Sequence, residues 1–459
     1  MSIESIENLE KYLQHLFPLP RSLMGRGTEK SLEILNDIMD FDYTYFPTGY
    51  KADEWTVPKE WEVFNSELII DNKNIADFKK NNLHVLNYSE KINIESSILD
   101  MKDYLFFNEA LPHAIPYVTS YYEKNIGVCI KYEEYVQIKD KKALLNIDSS
   151  FSDGNLPIAE AYLPGTSSKE VILNSYLCHP SMANNELSGP LAMALIYEKL
   201  SKRKNKYSYR FLIAPESIGA IMYLSKNLKT IKENLEYGIV LTCLGGPVNK
   251  ISYKDSPKTI RNSFSEFLKK DTNIDIREFD PNEGSNERHF TFPNVELPFG
   301  QFARTVYGQY KEYHNSLDNI EFADSNKILE SANQIFELLI NYENKESINN
   351  TNYQQKINFL NSQNESFYKP TSNFGEPFLS KYNLYPKVNT DGASKMSKKS
   401  DTKKIIKFLS MCNGYNSIDY LQEELEVDNE FINTLIGNSL IKPIWILFLS
   451  NPIKIIRYE

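Results

Sequence analysis

The chain has 459 residues, of which 41% are apolar, 24% charged and 13% aromatic, and its formal net charge is −10. This length predicts more than one compact core, and this composition is typical of globular domains rather than of disordered chain. The negative charge argues against a nucleic-acid partner, because phosphate backbones favour clustered Lys and Arg.

The same features indicate the compartment. The longest dense apolar run, residues 444–449, is far shorter than the roughly 20 residues that a membrane helix needs. The amphipathic N-terminus lacks the pattern of a secretory signal, and the four cysteines form no CxxC pair. We therefore expect a cytoplasmic protein with reduced thiols and no membrane association.

The first two segments differ in the spacing of their apolar residues. Residues 1–42 show the apolar spacing of helices, interrupted by the loop PLPRSLMGRG. Residues 43–125 contain short runs rich in Tyr, Val, Ile and Trp, which predicts an inserted β-rich domain. His113 and Tyr117 are expected to face a substrate cleft, because they lie where the chain returns to the main domain. The other aromatic residues are expected to form mostly core, and the conspicuous ones are Trp55, Trp61, Tyr121 and Tyr122.

The central segment alternates two patterns. Short apolar runs predict buried strands at residues 171–178, 209–215 and 237–244. Helical patterns fall between or after them, at residues 187–200, 218–228 and 325–342. This alternation predicts a layered α/β domain with a mixed, mostly parallel sheet and helices on both faces, built from residues 1–42 and 126–345. Ligands of such domains bind at the loops that follow the carboxyl ends of the strands.

The C-terminal part predicts two further units. Residues 346–400 are rich in Asn, Ser, Gln and Lys and are expected to form a linker that packs back on the core. Residues 401–459 show three short helical patterns and an apolar strand, an order that suits a winged-helix module. Its segment SIDYLQEELEV is acidic where a DNA-recognition surface is basic, so packing or homo-oligomerisation is the preferred role.

Three polar residues lie at positions where α/β domains commonly have catalytic or metal-binding side chains. His179 follows the first predicted strand, Glu216 follows the second, and His314 precedes the last helix. Considered singly, each has a structural interpretation: a hydrogen-bonded His, a Glu that favours a helix dipole, and a solvated loop His. Together they can supply imidazole ligands for a zinc ion and a carboxylate base beside it.

A family resemblance extends over nearly the entire chain. It is carried by the segments PLPRSLMGRG, DEWTVPKEW, NNLHVLNYS, LPHAIPYVTSYY, CHPSMANNELSGP, APESIG, GSNERHF and EYHNSLDN. In this order they resemble the bacterial aminopeptidase-like proteins with a β-rich insert and a winged-helix tail, which are often associated with polysaccharide-biosynthesis loci. These proteins belong to the clan of zinc-dependent exopeptidases. The resemblance implies hydrolysis of an amide bond in a small peptide or an amino-sugar conjugate.

The resemblance also implies a metal centre. It assigns His179 and His314 as zinc ligands, position 185 as a third ligand and Glu216 as the general base. The clan has Asp where this chain has Asn185, and it has a second Glu where this chain has Ser217. An amide oxygen is a weaker ligand than a carboxylate, so the implied site holds one zinc ion.

Further departures affect the surrounding residues. Cys243 stands where the clan has an Asp ligand, and Asn286 replaces the Asp of an Asp-Glu-Arg triplet. Glu287 is expected to bind or orient a ligand and Arg288 to bind a substrate carboxylate, with a structural ion pair as the alternative for both. The loss of acidic residues also supports a second function, a catalytically weak or metal-poor binding or regulatory protein in carbohydrate assembly.

Two residues flank His314 in the resemblance. Tyr313 is expected to contact the substrate, and Asp318 is expected to hold the His314 ring by a hydrogen bond.

Overall fold

The structure is a computed structural model that describes residues 2–120, 122–345, 366–385 and 400–444. Its α-helices, in chain order, are α1 (Ile6–Leu16), α2 (Arg26–Met39), α3 (Tyr132–Ile138), α4 (Ser188–Ser201), α5 (Ile218–Asn234), α6 (Ser263–Leu268), α7 (Glu287–Phe290), α8 (Ser325–Asn344), α9 (Ser400–Met411), α10 (Ile418–Leu425) and α11 (Asn429–Gly437). Its strands, in the same order, are β1 (Asp42–Pro47), β2 (Lys51–Ala52), β3 (Trp55–Thr56), β4 (Glu60–Ile70), β5 (Lys73–Asn74), β6 (Ile92–Ser97), β7 (Leu105–Phe106), β8 (Val128–Cys129), β9 (Lys142–Ser152), β10 (Asn155–Leu163), β11 (Glu170–Tyr176), β12 (Ser208–Ala214), β13 (Leu235–Leu241), β14 (Ile251–Lys254), β15 (Ile274–Arg277), β16 (Phe299–Ala303), β17 (Phe367–Pro370) and β18 (Ile441–Ile444).

The larger sheet of the described chain has eight strands in the order β1-β10-β12-β11-β13-β16-β14-β15. Its centre is parallel: β11 pairs with β12 and β13, and β13 pairs with β16. Strand β10 pairs antiparallel with β1 and β12, and β14 pairs antiparallel with β16. The three predicted apolar runs are the neighbouring strands β11, β12 and β13, which confirms the mixed α/β fold.

Helices cover both faces of this sheet. Successive side chains of a strand point to opposite faces. In β11, Val171 and Leu173 pack with residues of α1, α2, α4 and α8. Ile172, between them, packs in a second cluster with residues of α5. All three β11 side chains are fully buried, so the near-continuous apolar run in the sequence reflects burial on two faces.

A smaller sheet has the order β5-β4-β9-β6 and is antiparallel throughout. Its strand β9 follows the predicted insert, residues 43–125, whereas β1 overlaps the start of that insert and belongs to the larger sheet. The chain changes sheets over residues 153–154, between β9 and β10. Alternating burial in β9 shows that it has one core face, which apolar content alone does not reveal. The division into domains stays a prediction.

The described C-terminal residues contain α9, α10 and α11, and β18 pairs antiparallel with β17. Parts of the predicted linker and module, residues 346–365, 386–399 and 445–459, lie outside the described residues. The winged-helix assignment therefore stays a prediction. In the described part of the chain, no helix combines the length and the apolar character needed to cross a membrane.

Candidate active site

The ends of two parallel strands open onto a cavity of about 230 Å³. His179 follows the end of β11 and Glu216 follows the end of β12. His314 comes from the loop between β16 and α8. All three side chains line this cavity, so the structure brings together the residues that the sequence singled out.

The two imidazoles lie side by side. The ring centroids of His179 and His314 are 5.7 Å apart. Oε2 of Glu216 lies 3.6 Å from Nε2 of His179, and the Glu216 side chain is 27% exposed, enough for contact with a ligand. Because Zn–N bonds are about 2.0–2.1 Å long, rings at this separation can share one ion.

His179 is held from behind by a buried carboxylate. Oε2 of Glu186 lies 2.7 Å from Nδ1 of His179, and Oε1 accepts the backbone N–H of His179 at 2.9 Å and that of Cys178. Arg21 donates from Nε to the carbonyl oxygen of His179 at 3.0 Å. These bonds leave Nε2 of His179 for the cavity, as in carboxylate–histidine–metal arrangements.

Cys178, His179 and Glu186 also bring potential ligand atoms within 4.8 Å of one another. The Cys178 Sγ accepts the backbone N–H of Glu216 at 3.3 Å and lies 3.4 Å from Nδ1 of His179. Glu186 already accepts bonds at both oxygens, so it is better placed to orient His179 than to bind an ion itself.

The protonation of the two rings differs. Burial alone would lower the pKa of His179, but Cys178, Tyr117 and Glu186 together outweigh burial and raise that pKa well above its usual range. Burial and the neighbouring His179 lower the pKa of His314 far below its usual range. Because metals bind neutral imidazole, His314 is already in the ligand form, and a metal at His179 would replace a proton.

His314 carries two signs of a functional position. Its Nδ1 is buried and has no hydrogen-bond partner among the described residues. Its backbone adopts a φ of 56°, in the left-handed region that residues other than Gly seldom enter. Tyr117 donates its backbone N–H to the His314 carbonyl at 2.9 Å, and the Tyr313 ring stacks on the His314 ring at 3.8 Å. An unpartnered buried nitrogen beside a second imidazole fits a metal ligand.

Strained backbone recurs around this centre. Ser217, which follows Glu216, has a φ of 62°, and Cys243 has a φ of 50°. Such conformations cost of the order of 1–3 kcal/mol each and concentrate at functional sites. The backbone N–H of Ser217 donates to Oδ1 of Asn286 at 2.8 Å, which helps to hold this turn.

The side chain of Asn185 contacts neutral groups. Its Oδ1 accepts from the Tyr176 hydroxyl at 3.5 Å, and its Nδ2 lies 4.0 Å from Sγ of Cys243. The Tyr176 hydroxyl also bonds Thr242 at 2.7 Å and the Tyr307 hydroxyl at 2.9 Å. Hydroxyl and amide groups are weak ligands for a second cation, and burial raises the pKa of Cys243, which disfavours the thiolate that a metal would need. Asn185 is buried and does not line the cavity, so its role as a ligand stays a prediction.

The Glu-Arg pair of α7 has structural partners. Glu287 is fully buried and pairs with the buried Lys254, whose Nζ lies 2.6 Å from its Oε1. It does not line the cavity. Arg288 does, but its Nε lies 3.5 Å from Oε1 of Glu376. The ion-pair alternative therefore applies to both residues, with a different partner for each.

Two other predicted residues lie elsewhere. The His113 side chain is 77% exposed, pairs with Glu133 and does not line the cavity, because the chain at this point runs over the surface. Asp318 accepts backbone N–H groups of Asn184 at 2.6 Å and Asn185 at 2.8 Å instead of bonding the His314 ring. By contrast, Tyr117 and Tyr313 line the cavity as predicted.

Several cavity residues escaped the sequence reasoning. Trp55 packs in the core, as expected, and Tyr122 packs against it, but both also line the cavity. Arg21 and Glu186 support His179 from buried positions. The signal in the sequence is their place in PLPRSLMGRG, DEWTVPKEW, LPHAIPYVTSYY and CHPSMANNELSGP, segments that carry the family resemblance. Glu376 had no such signal, since it falls in the predicted linker.

A mixed sheet covered by helices on both faces, with its cavity at the carboxyl ends of parallel strands, defines a layered α/β protein. Within that class, the chain belongs to the family described as "Domain of unknown function (DUF4910)", which matches residues 10–345. The chain is also 34% identical over 363 residues to a "Putative polysaccharide biosynthesis protein with aminopeptidase-like domain" of Clostridium acetobutylicum. That match covers 76% of this chain and 81% of the relative.

Solved structures show the same fold. A putative peptidase from Clostridium acetobutylicum is 29% identical, with a TM-score of 0.70 over 96% of this chain and 97% of that chain. The zinc aminopeptidase BSAP from Bacillus subtilis is 13% identical, with a TM-score of 0.52 over 75% of this chain and 96% of that chain. The predicted family resemblance is thereby confirmed.

Proposed function

We propose that the protein is a zinc-dependent, aminopeptidase-like hydrolase with one metal ion, which cleaves an amide bond in a small peptide or an amino-sugar conjugate. The meeting of the His179 and His314 rings beside Glu216 carries this proposal. The aminopeptidase-like fold and the names of the relatives support a peptidase-like function. The polysaccharide-biosynthesis name of one relative supports a role in carbohydrate assembly.

In this proposal His179 and His314 hold the ion, and Asn185 is the proposed third ligand. When bound, zinc would polarise the substrate carbonyl and acidify a water molecule. Glu216 accepts the proton of the attacking water and returns it to the leaving amine. Its backbone N–H bond to Sγ of Cys178 fixes the start of the turn that presents the carboxylate.

Hydrolysis by the zinc-loaded, full-length protein tests the proposal. Suitable probes are unblocked aminoacyl amides, short peptides and N-acylated amino sugars. Glu216→Gln should reduce the rate by roughly 10²- to 10⁴-fold and retain zinc, because it removes a proton acceptor. His314→Ala should lose both hydrolysis and zinc binding. The matched control is His113→Ala, because His113 is exposed and lies outside the cavity. This variant should retain both hydrolysis and zinc binding.

A second candidate is a binding or regulatory protein with little catalysis. It is favoured by the neutral side chains at positions 185, 217 and 286, which the clan fills with acids. Under this alternative the same probes bind and are not turned over, even when zinc is present. Turnover that depends on Glu216 would exclude it.

A further inference from the structure

A wall of the cavity comes from outside the family match. The match ends at residue 345, whereas residues 376–380 and Tyr385 line the same cavity as His179 and His314. We call residues 366–385 the wall segment. Its position gives it direct access to whatever ligand the cavity holds.

The wall segment is anchored at both sides of Glu376. Oδ2 of Asp53 accepts the backbone N–H of Asn373 at 2.5 Å and that of Phe374 at 3.2 Å. Trp55 donates from Nε1 to the Glu376 carbonyl at 2.8 Å, and its ring lies 4.9 Å from the Phe378 ring. These contacts fix the backbone that presents the Glu376 carboxyl group.

That carboxyl group faces Arg288. Their closest atoms, Oε1 and Nε, are 3.5 Å apart, and the side chains are 8% and 17% exposed. Among the described residues that line the cavity, Arg288 is the one Arg or Lys, while Glu216 and Glu376 are the carboxylates. The guanidinium group that could bind a ligand carboxylate therefore has an anionic partner within the chain.

We propose that Glu376 determines the charge class of the ligand: it compensates the charge of Arg288, so that the cavity selects neutral or cationic ligands over those with a carboxylate. A ligand carboxylate at Arg288 would lie beside the buried Glu376 carboxyl group, and this juxtaposition of like charges is costly. The proposal refines the substrate of the proposed hydrolase and rests on that function for its biological meaning, but ligand binding tests it without turnover.

The experiment compares two probes of nearly equal size, N-acetylglycine and N-acetylglycinamide, by calorimetry on the full-length protein. The wild type should bind the amide at least as well as the acid. Glu376→Gln should raise the affinity for the acid relative to the amide by roughly tenfold or more, because Arg288 is released. Glu54→Gln is the matched control: it removes another contact of the wall segment, to Lys381 and Tyr382, and should leave the ratio unchanged.

Two further variants separate Arg288 from other causes. Adding Arg288→Gln to Glu376→Gln should abolish the gain, and this also corrects for any carboxylate bound at the metal. Arg288→Gln alone leaves the Glu376 carboxyl group without its cation, so this variant should bind the acid no better than the wild type. A Glu376→Gln protein with no gain for the acid, or a gain that persists when Arg288 is also replaced, would overturn the proposal. Loss of hydrolysis alone would not overturn it, because hydrolysis tests the proposed function and not the selection by charge.

Discussion

The side chain of Asn286 shows that its surroundings suit an amide. Nδ2 donates to Oδ1 of Asn174 at 2.9 Å, while Oδ1 accepts the backbone N–H of Ser217 at 2.8 Å. Asn174 uses its own Nδ2 to donate to the carbonyl of Leu212 at 3.1 Å. A carboxylate at position 286 could accept but not donate, and it would face the Asn174 oxygen.

Asn286→Asp should therefore lower the free energy of unfolding by about 1–3 kcal/mol, the cost of a lost buried hydrogen bond. Urea denaturation measures this change in the free energy of unfolding. Asn319→Asp is the control, because Oδ1 of Asn319 accepts backbone N–H groups of Glu321 and Phe322, which a carboxylate can also do. A 286 variant as stable as the wild type would contradict this interpretation.

Glu186 is expected to act on the metal through His179. Glu186→Gln should weaken zinc binding by roughly 10- to 100-fold, since it weakens the orientation of the ring. Competition with a chelator of known affinity measures the change. Glu133→Gln, which alters the exposed pair with His113, should have no effect. Equal zinc affinity in the wild type and the 186 variant would exclude this role.

The location of residues that follow a strand was predictable. His179 and Glu216 directly follow buried strands, so the strand pattern alone placed them at one sheet edge. The ion pair of Glu287 was not predictable, because its partner Lys254 belongs to a separate strand, β14. His113 failed for a related reason: which side of a surface segment faces a cavity depends on tertiary packing.

Among the elements, the turn that precedes α4 is held by the loop that contains His314. A single π-helical turn, Ala183–Leu187, precedes α4 and contains Asn185 and Glu186. Asp318 accepts the backbone N–H groups of the first three residues of this turn. Asp318 thus acts as an N-terminal cap that fixes the turn, and π-helical turns recur at functional sites.

This cap predicts a pH dependence of stability. Burial raises the pKa of Asp318 to about 7, although its backbone hydrogen bonds oppose the shift. Because the folded state then binds the proton more tightly than the unfolded state, the stabilising effect is fully present below the unfolded pKa. It is lost as the pH rises from about 4 through about 7. Asp318→Asn should flatten this part of the stability curve, measured by urea denaturation at pH 5 and pH 8. A variant whose stability declines as much as that of the wild type would refute the assignment.

Elements with a strong periodic pattern were predictable to within a few residues, as for α4 and α8. The assignment of strands to sheets was harder. Strand β9 joins the smaller sheet although it lies beyond the predicted insert, because pairing depends on contacts with β4 and β6 that are distant in the sequence.

At the scale of the whole molecule, the cavity combines three parts of the chain. Trp55 and Tyr117 come from the predicted insert, His179 and His314 come from the α/β fold, and Glu376 comes from beyond the family match. The composition of residues 346–400 indicated a linker and carried no sign that part of it forms a cavity wall. That role depends on anchoring contacts such as those of Trp55, which no local pattern shows.

The zinc content of the purified, full-length protein tests the central claim most directly. His179 and His314 come from separate parts of the chain, so an ion between them requires the whole fold. We predict about one equivalent of zinc per chain, lost in both His179→Ala and His314→Ala. No zinc in the native protein and no binding when zinc is added, or full zinc retention in both variants, would contradict the account.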